Sequence, residues 1–427
     1  MTDAERRQLH PAVLADRLKK LPEEEAAEKL LSYNADYSAQ ALGSLDPWQA
    51  SSIFTELPDD KQVEFLTLMS SDDSVDLLQD LPERLRRRLL TRLDELTRRR
   101  FKSLLQYPKD TAGGTMSLEV LSLPETMTVG SAIDELREKE EKLEEINYVY
   151  VTKEGGKLAG VLPLRNIVFR NPDLPISEVM NADVKTVLPE FDREKVARIF
   201  DKFDYLALPV IDRNDRLLGV ITVDDVIDVL RQENTEDMLE MVGISGASEE
   251  SIWTPWSISV RHRLPWLVVN LCTVLLAALV VSYFEETISK FAILAVFMPV
   301  VAGQGGNSGA QTVAILIRGI ALGEIGRGQS KRALLKEAWL GLLHGFVIGF
   351  VVGCIGFAWT RSIQMAVIVG FSMILSMIVA GVAGVVIPLG LRRVGCDPAL
   401  SATIWMTTVT DVAGFVFLLG LATWLLT

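Results

Sequence analysis

From Pro265 onward the chain is a succession of apolar runs, each long enough to cross about 30 Å of hydrocarbon at about 20 residues per helix. A soluble core has no use for so many, so this half is solvated by lipid. The runs predict five spans, at 266–284, 291–320, 339–359, 365–391 and 400–426. Charge divides at the same place. Nine Lys/Arg and six acids lie from Leu264 on, leaving 34 basic and 50 acidic residues before it. Residues 1–263 thus carry −16 and residues 264–427 carry +3 of the net −13. An acidic exposed half repels phosphate backbones, which excludes a nucleic-acid binder and points to cations as partners. Residues 1–20 show no apolar core behind a basic patch, so the front half is expected in the cytosol. Placing it there puts Arg261, Arg263, Arg327, Lys331, Arg332, Lys336, Arg392 and Arg393 on the cytoplasmic side and only Lys290 and Arg361 outside. Five spans then leave the C-terminus outside. Cys272, Cys354 and Cys396 have no paired spacing, and there are only three histidines, which argues against disulfides and zinc.

Within the spans, Asp411 is the one acid expected deep in an apolar run. A carboxylate there costs a few kcal/mol unless it faces protein or water, so it marks a functional position. Thr407, Thr408, Asp411 and Gly414 share one helix face and would present oxygen to a hydrated cation. The plainer reading pairs Asp411 with Arg392 or Arg393. A second feature is Pro299 to Gln311, where four glycines and a proline predict irregular backbone beside a wet cavity. Gly303, Gly306 and Asn307 are the candidate lining residues. Gly345, Gly349 and Gly353, four residues apart, read instead as a close helix-packing seam.

In the cytosolic half, Gly156–Ile167 repeats as Asp215–Val226 at an offset of 59. Each copy follows a strand-like run, at 147–151 and 207–211, and each unit opens near Met116-Ser117 or Met180-Asn181. This strand, strand, helix repeat resembles a tandem pair of CBS domains. That family often binds adenosine ribose through Gly-Val-Ile-Thr-x-x-Asp. Thr222 and Asp225 fit, whereas Pro163 and Asn166 stand at the matching places in the first repeat. The resemblance makes Thr222, Asp225, Arg165, Tyr148 and Tyr205 candidate nucleotide contacts and ATP a candidate ligand. Upstream, Leu21-Pro22, Asp46-Pro47, Leu57-Pro58, Ser71-Asp72 and Leu81-Pro82 punctuate short helices at near multiples of twelve, as in a small solenoid. Between repeat and spans, Trp253, Pro255, Trp256, Arg261, His262 and Arg263 suit a connecting helix at the lipid headgroups.

The whole order resembles the bacterial MgtE family of magnesium channels and transporters. The most specific residues are Pro299–Gln311 and Thr407–Gly414, with Cys396-Asp397-Pro398-Ala399 in support. The implied fold class is a multidomain membrane protein: helical solenoid 1–115, CBS domains 116–178 and 179–236, plug helix 237–263, and a five-helix pore domain 264–427. The resemblance further implies a prokaryotic plasma-membrane homodimer, not an enzyme, in which two Asp411 side chains bind hydrated Mg²⁺ on the two-fold axis. It implies a gate closed by cytosolic Mg²⁺, with Asp204, Asp225, Asp228, Glu233, Glu236 and Asp237 as sensor residues. Glu194 and Asp397 would complete sites near the pore, and Asp72 and Asp76 would act in the solenoid. The alternative function is an ion-coupled carrier using Asp411 to move a proton or cation.

Overall fold

The computed structural model describes residues 10–138, 148–244, 250, 252, 254–326 and 328–426; Asn147, Trp253 and Arg327 lie outside the described residues. The chain divides into two compact units, Met1–Gln232 and Glu233–Thr427.

The first unit opens with eight short helices: α1 Pro11–Leu18, α2 Glu23–Leu31, α3 Ala35–Gly43, α4 Pro47–Thr55, α5 Asp59–Leu68, α6 Ser71–Asp80, α7 Glu83–Arg92 and α8 Glu95–Leu104. Prolines at the first turn preset φ where a helix has no use for the N–H, and Asp94 caps α8 by accepting from Leu96 and Thr97 N–H. Each helix packs on the one two positions later, α1 on α3, α2 on α4 and so on to α6 on α8. This makes two rows. The period is twelve residues: Leu18, Leu30, Leu42, Phe54, Leu66 and Leu78 are all fully buried. Polar side chains eight residues downstream satisfy the core carbonyls. Ser38 Oγ donates to Leu30 O at 2.7 Å, Gln62 Nε2 to Phe54 O at 2.9 Å, and Ser74 Oγ to Leu66 O at 2.9 Å.

After a one-turn helix, α9 Ala112–Thr115, come the two repeats. In the first, β1 Ser122–Pro124 runs parallel to β2 Tyr148–Thr152, which pairs antiparallel with β3 Leu158–Pro163. In the second, β4 Ala207–Ile211 pairs antiparallel with β5 Leu217–Thr222. The register irregularity falls at Val151/Thr152 and again at Val210/Ile211, 59 residues on. Helices α10 Val129–Glu138, α11 Leu164–Val168, α12 Ile176–Val179 and α13 Arg193–Phe203 cover the strands. The repeats interlock at their openings. Ser117 and Val220 exchange both backbone hydrogen bonds at 2.8 and 2.9 Å, as do Asn181 and Val161. Glycine is required at these crossings, since a Cβ at Gly219 would lie 2.6 Å from the Ser117 carbonyl oxygen.

Helix α14, Val223–Met241, begins in the first unit and ends in the second. The segment between the second repeat and the spans is helical to Met241 and again from Trp256; just past Met241, Gly243 takes φ +84° and its N–H bonds Glu240 O.

The second unit then holds α15 Trp256–Tyr283, α16 Glu285–Lys290, α17 Leu294–Ala321, α18 Ser330–Thr360, α19 Ile363–Arg393 and α20 Ala402–Leu426. By length and composition α15, α18, α19 and α20 are able to cross a membrane; α17 is as long as α15, with its apolar content diluted by amides and glycines. Helix α19 is central, packing on α17, α18 and α20. The expected irregular backbone at 299–311 is not found, because α17 runs unbroken through it. In hydrocarbon no water competes for the backbone, so glycines stay helical and serve packing instead. A Cβ at Gly305 would lie 2.8 Å from Ser376 Oγ.

The seam between α18 and α19 is tighter. Added Cβ atoms at Gly341, Gly345 and Gly349 would lie 2.5, 2.9 and 2.5 Å from α19 backbone atoms. Gly341→Ala is therefore expected to cost about 1–3 kcal/mol, read as a thermal midpoint several degrees lower in the purified protein. Gly420→Ala, where no heavy atom lies within 4 Å of the new carbon, leaves the midpoint unchanged.

Candidate ion pathway and acidic clusters

Asp411 sits half-buried on α20, and among the described residues it has no hydrogen-bond or ion-pair partner. Arg392 turns away to Ile325 O at 3.2 Å, so no pairing of Asp411 with that arginine is present. The Thr407 and Thr408 hydroxyls both donate back to Ile404 O, at 3.0 and 2.8 Å. Their protons are thereby engaged, leaving oxygen lone pairs free to accept from the water shell of a cation. The glycine face of α17 lies against this side of α20. A Cβ at Gly306 would touch Thr407 Cγ2 at 3.8 Å, and one at Gly305 would meet Thr410 at 3.3 Å. Gly303 faces open space. Asn307 lies on a different face of α17, lining a cavity of about 310 Å³.

A residue missed in the sequence sits at the start of α18. Glu337, with its side chain 12% exposed, accepts from Thr312 Oγ1 of α17 at 3.1 Å and lies 3.5 Å from Lys336 Nζ. With a span expected only from 339, this acid passed for an interfacial charge.

In the first unit the sequence-expected acids Asp72, Asp76 and Asp225 come together with Asp73, Asp80 and Asp224. Burial pushes Asp72 up, and Asp225 shares a hydrogen bond with it. Burial, with like charge from Asp72, pushes Asp73 and Asp225 well up. Asp76 is pushed up to about 7, first by burial and then by Asp72 and Asp80, against Lys109. Asp72 Oδ1 and Asp80 Oδ2 are buried without a partner. Unpaired buried carboxyl oxygen with uncompensated charge is the donor set a hard divalent cation neutralises. Nevertheless, no three His, Cys, Asp or Glu are already placed as a chelate among the described residues.

Glu119 was not anticipated either. Burial would raise it, but hydrogen bonds from Ser117 and Ser71 and the nearby Arg100 hold it below the usual carboxylate value. The other expected acids are dispersed. Glu194 pairs with Arg198, Asp228 with Arg231 at 3.4 Å, and Asp204 caps α13 at φ 53°.

In the second unit, Glu233, Glu236 and Asp237 on α14 gather with Asp397 around Glu240. Burial and then these four charges push Glu240 up to about 7. Glu240 was overlooked, although its spacing of seven, four and three from Glu233, Glu236 and Asp237 places it on their helix face. Its carbonyl accepts Ser401 N–H at 2.9 Å, tying the end of α14 to the start of α20.

Of the candidate nucleotide contacts, Thr222 donates to Asp225 Oδ2 at 2.7 Å. Tyr205 stacks on Phe203 at 5.5 Å, Tyr148 is half-buried opposite Pro163, and Arg165 is exposed.

A helical unit able to span a membrane, joined to a helical solenoid and a CBS pair, has the architecture of a divalent cation transporter, not an enzyme. Residues 298–421 match MgtE, divalent cation transporter; residues 9–110 match the MgtE intracellular N domain; residues 112–171 and 176–232 match the CBS domain. The chain is 30% identical to the magnesium transporter MgtE of Bacillus subtilis over 97% of this chain and 92% of that one. It is 34% identical to the magnesium transporter MgtE of Thermus thermophilus over 91% and 87%. The chain belongs to the MgtE family of multi-pass magnesium transporters. A crystal structure of the cytosolic domain of the Mg²⁺ channel MgtE in complex with ATP is similar at 35% identity and a TM-score of 0.50, covering 52% of this chain and 91% of that one.

The Asp76 carboxyl gives a pH test. Its folded value of about 7 exceeds the ordinary 3.8 of an unfolded chain, so the native state binds more protons between these values. Stability therefore falls as pH rises through that window. In the divalent-free full-length protein the thermal midpoint is expected to drop across it, Asp76→Asn to flatten the drop, and added Mg²⁺ to restore the midpoint at neutral pH.

Proposed function

We propose that the chain is a Mg²⁺ channel of a prokaryotic plasma membrane, closed by cytosolic Mg²⁺. The observation that carries the reading is the unpaired Asp411 on a helix face whose threonine protons are already engaged. Mg²⁺ sheds water reluctantly, so a pathway suits it when carboxylate and hydroxyl oxygens grip the hydration shell. In a homodimer two Asp411 side chains face one ion across the two-fold axis. Helix α17 then spans with the other four, the N-terminus is cytoplasmic and the C-terminus outside.

The two acid clusters supply the gauge. At low Mg²⁺ their charges repel; at high Mg²⁺ ions between Asp72, Asp76, Asp225 and their neighbours, and between Glu233, Glu236, Asp237 and Asp397, neutralise them and favour the closed state. Asp204, Asp228 and Glu194 add to this field. ATP bound at Thr222, Asp225, Arg165, Tyr148 and Tyr205 tunes the CBS pair; likeness to the ATP-bound relative supports this.

Asp411→Ala is expected to abolish Mg²⁺ entry into proteoliposomes, followed with an internal indicator dye, while the protein still elutes as a dimer. Undiminished uptake would overturn the pathway. Flux that collapses with the proton gradient at fixed voltage would instead favour the carrier. Asp225→Asn, Asp228→Asn and Glu236→Gln combined should leave flux high when the cytosolic face is bathed in high Mg²⁺; normal closure would refute the gauge.

A further inference from the structure

Helix α20, which carries Asp411, starts at Ala402, so Ser401 stands where a helix is capped. Serine suits that place when φ is negative, because its side-chain oxygen then accepts an N–H of the first turn. At the start of α19, Ser362 does this, with φ −114° and its Oγ accepting Met365 N–H at 3.3 Å. Ser401 does not. Its φ is +49°, it is fully buried, and among the described residues its Oγ has no hydrogen-bond partner. A left-handed backbone bearing a β-carbon and an idle buried hydroxyl are both unfavourable, and they persist only where the surroundings impose them. The end of α14 imposes them here. Ser401 N–H donates to Glu240 O at 2.9 Å, and Met241 packs against the apolar cluster that holds Ala399, Ala402 and Met406. Gly243 comes so close that a Cβ there would lie 2.8 Å from Ile404 Cδ1 and 3.6 Å from Ser401 Oγ.

We propose that Ser401 is a two-position swivel: with φ positive it gives its N–H to Glu240 and holds the end of α14 against α20, and with φ negative it caps α20 and releases α14. Helix α20 is unbroken, so the turn set at Ser401 reaches Asp411, about 14 Å further along the same helix. The direction of the switch rests on the channel reading above. The Glu240 carboxyl faces the charges of Asp397, Glu236, Asp237 and Glu233, which drive the docked end of α14 away until a cation neutralises them. Mg²⁺ therefore favours the docked, closed position, and its removal favours the capped one.

Variants at this one position push the swivel in opposite directions, which a merely structural role would not do. Ser401→Gly frees positive φ and deletes the cap. Ser401→Pro fixes φ negative and deletes the N–H. Ser401→Thr keeps hydroxyl and N–H but resists positive φ, and covers the case in which the proline variant misfolds. Hydrogen exchange over residues 236–244 of the full-length protein in detergent, followed by mass spectrometry as Mg²⁺ is raised, reads docking whatever the protein conducts. The Mg²⁺ concentration that half-protects this segment should fall about tenfold in Ser401→Gly and rise about tenfold in Ser401→Pro and Ser401→Thr. An unchanged midpoint in the folded variants would overturn the swivel, as would shifts all of one sign. In proteoliposomes the cytosolic Mg²⁺ that halves flux should shift in the same directions. Protection that shifts as stated while flux ignores cytosolic Mg²⁺ upholds the swivel and overturns the gauge instead.

Discussion

An unpaired charge or amide has no stable place in hydrocarbon, and the membrane unit is arranged around that prohibition. Its backbone stays helical even through four glycines and Pro299, because a broken helix would expose groups that nothing nearby could satisfy. Glu337 is tolerated at the base of α18 because Thr312 donates to it and its side chain is largely enclosed. Half-buried Asp411 lacks such compensation, so it is the place where water and ions belong. In a lipid-solvated chain, absence of a partner is the positive signal.

The first unit inverts the same electrostatics. It concentrates Asp72, Asp73, Asp76 and Asp225 until burial and mutual repulsion push their carboxyls up, Asp76 to about 7. Lys109 offsets part of this, pairing with Asp80 and opposing the rise at Asp76. It does not cancel it, since Asp76 is still pushed up to about 7.

Much of this was legible in the residues. The 59-residue offset became matching strands with matching irregularities, and the near-twelve punctuation became a strict twelve-residue core from Leu18 to Leu78. These signals are local and periodic, which is what a sequence displays. The helicity of 299–311 was not legible, since glycine content reports weak intrinsic propensity and not the solvent that overrides it. The run of the second repeat's helix on to Met241 follows from a sequence with no stop signal before Gly243. Asp411, Thr407 and Thr408 stood out by their chemistry and Glu240 could have been found by its helical spacing, whereas Glu119 depends on the distant Ser71 and Arg100. Glu337 was hidden by a boundary placed two residues too late.

The glycine seam of α18 and α19 is fastened backbone to backbone, with Gly341, Gly345 and Gly349 admitting no side chain between them. Such a joint has no soft material in it, so neither helix slides or rolls on the other without separating first. Under the channel proposed above, the pair would serve as a stator, and the movement that opens or shuts a passage would fall to α17, α20 and the sparsely buried α15. The membrane unit would then have fewer degrees of freedom than its number of helices suggests.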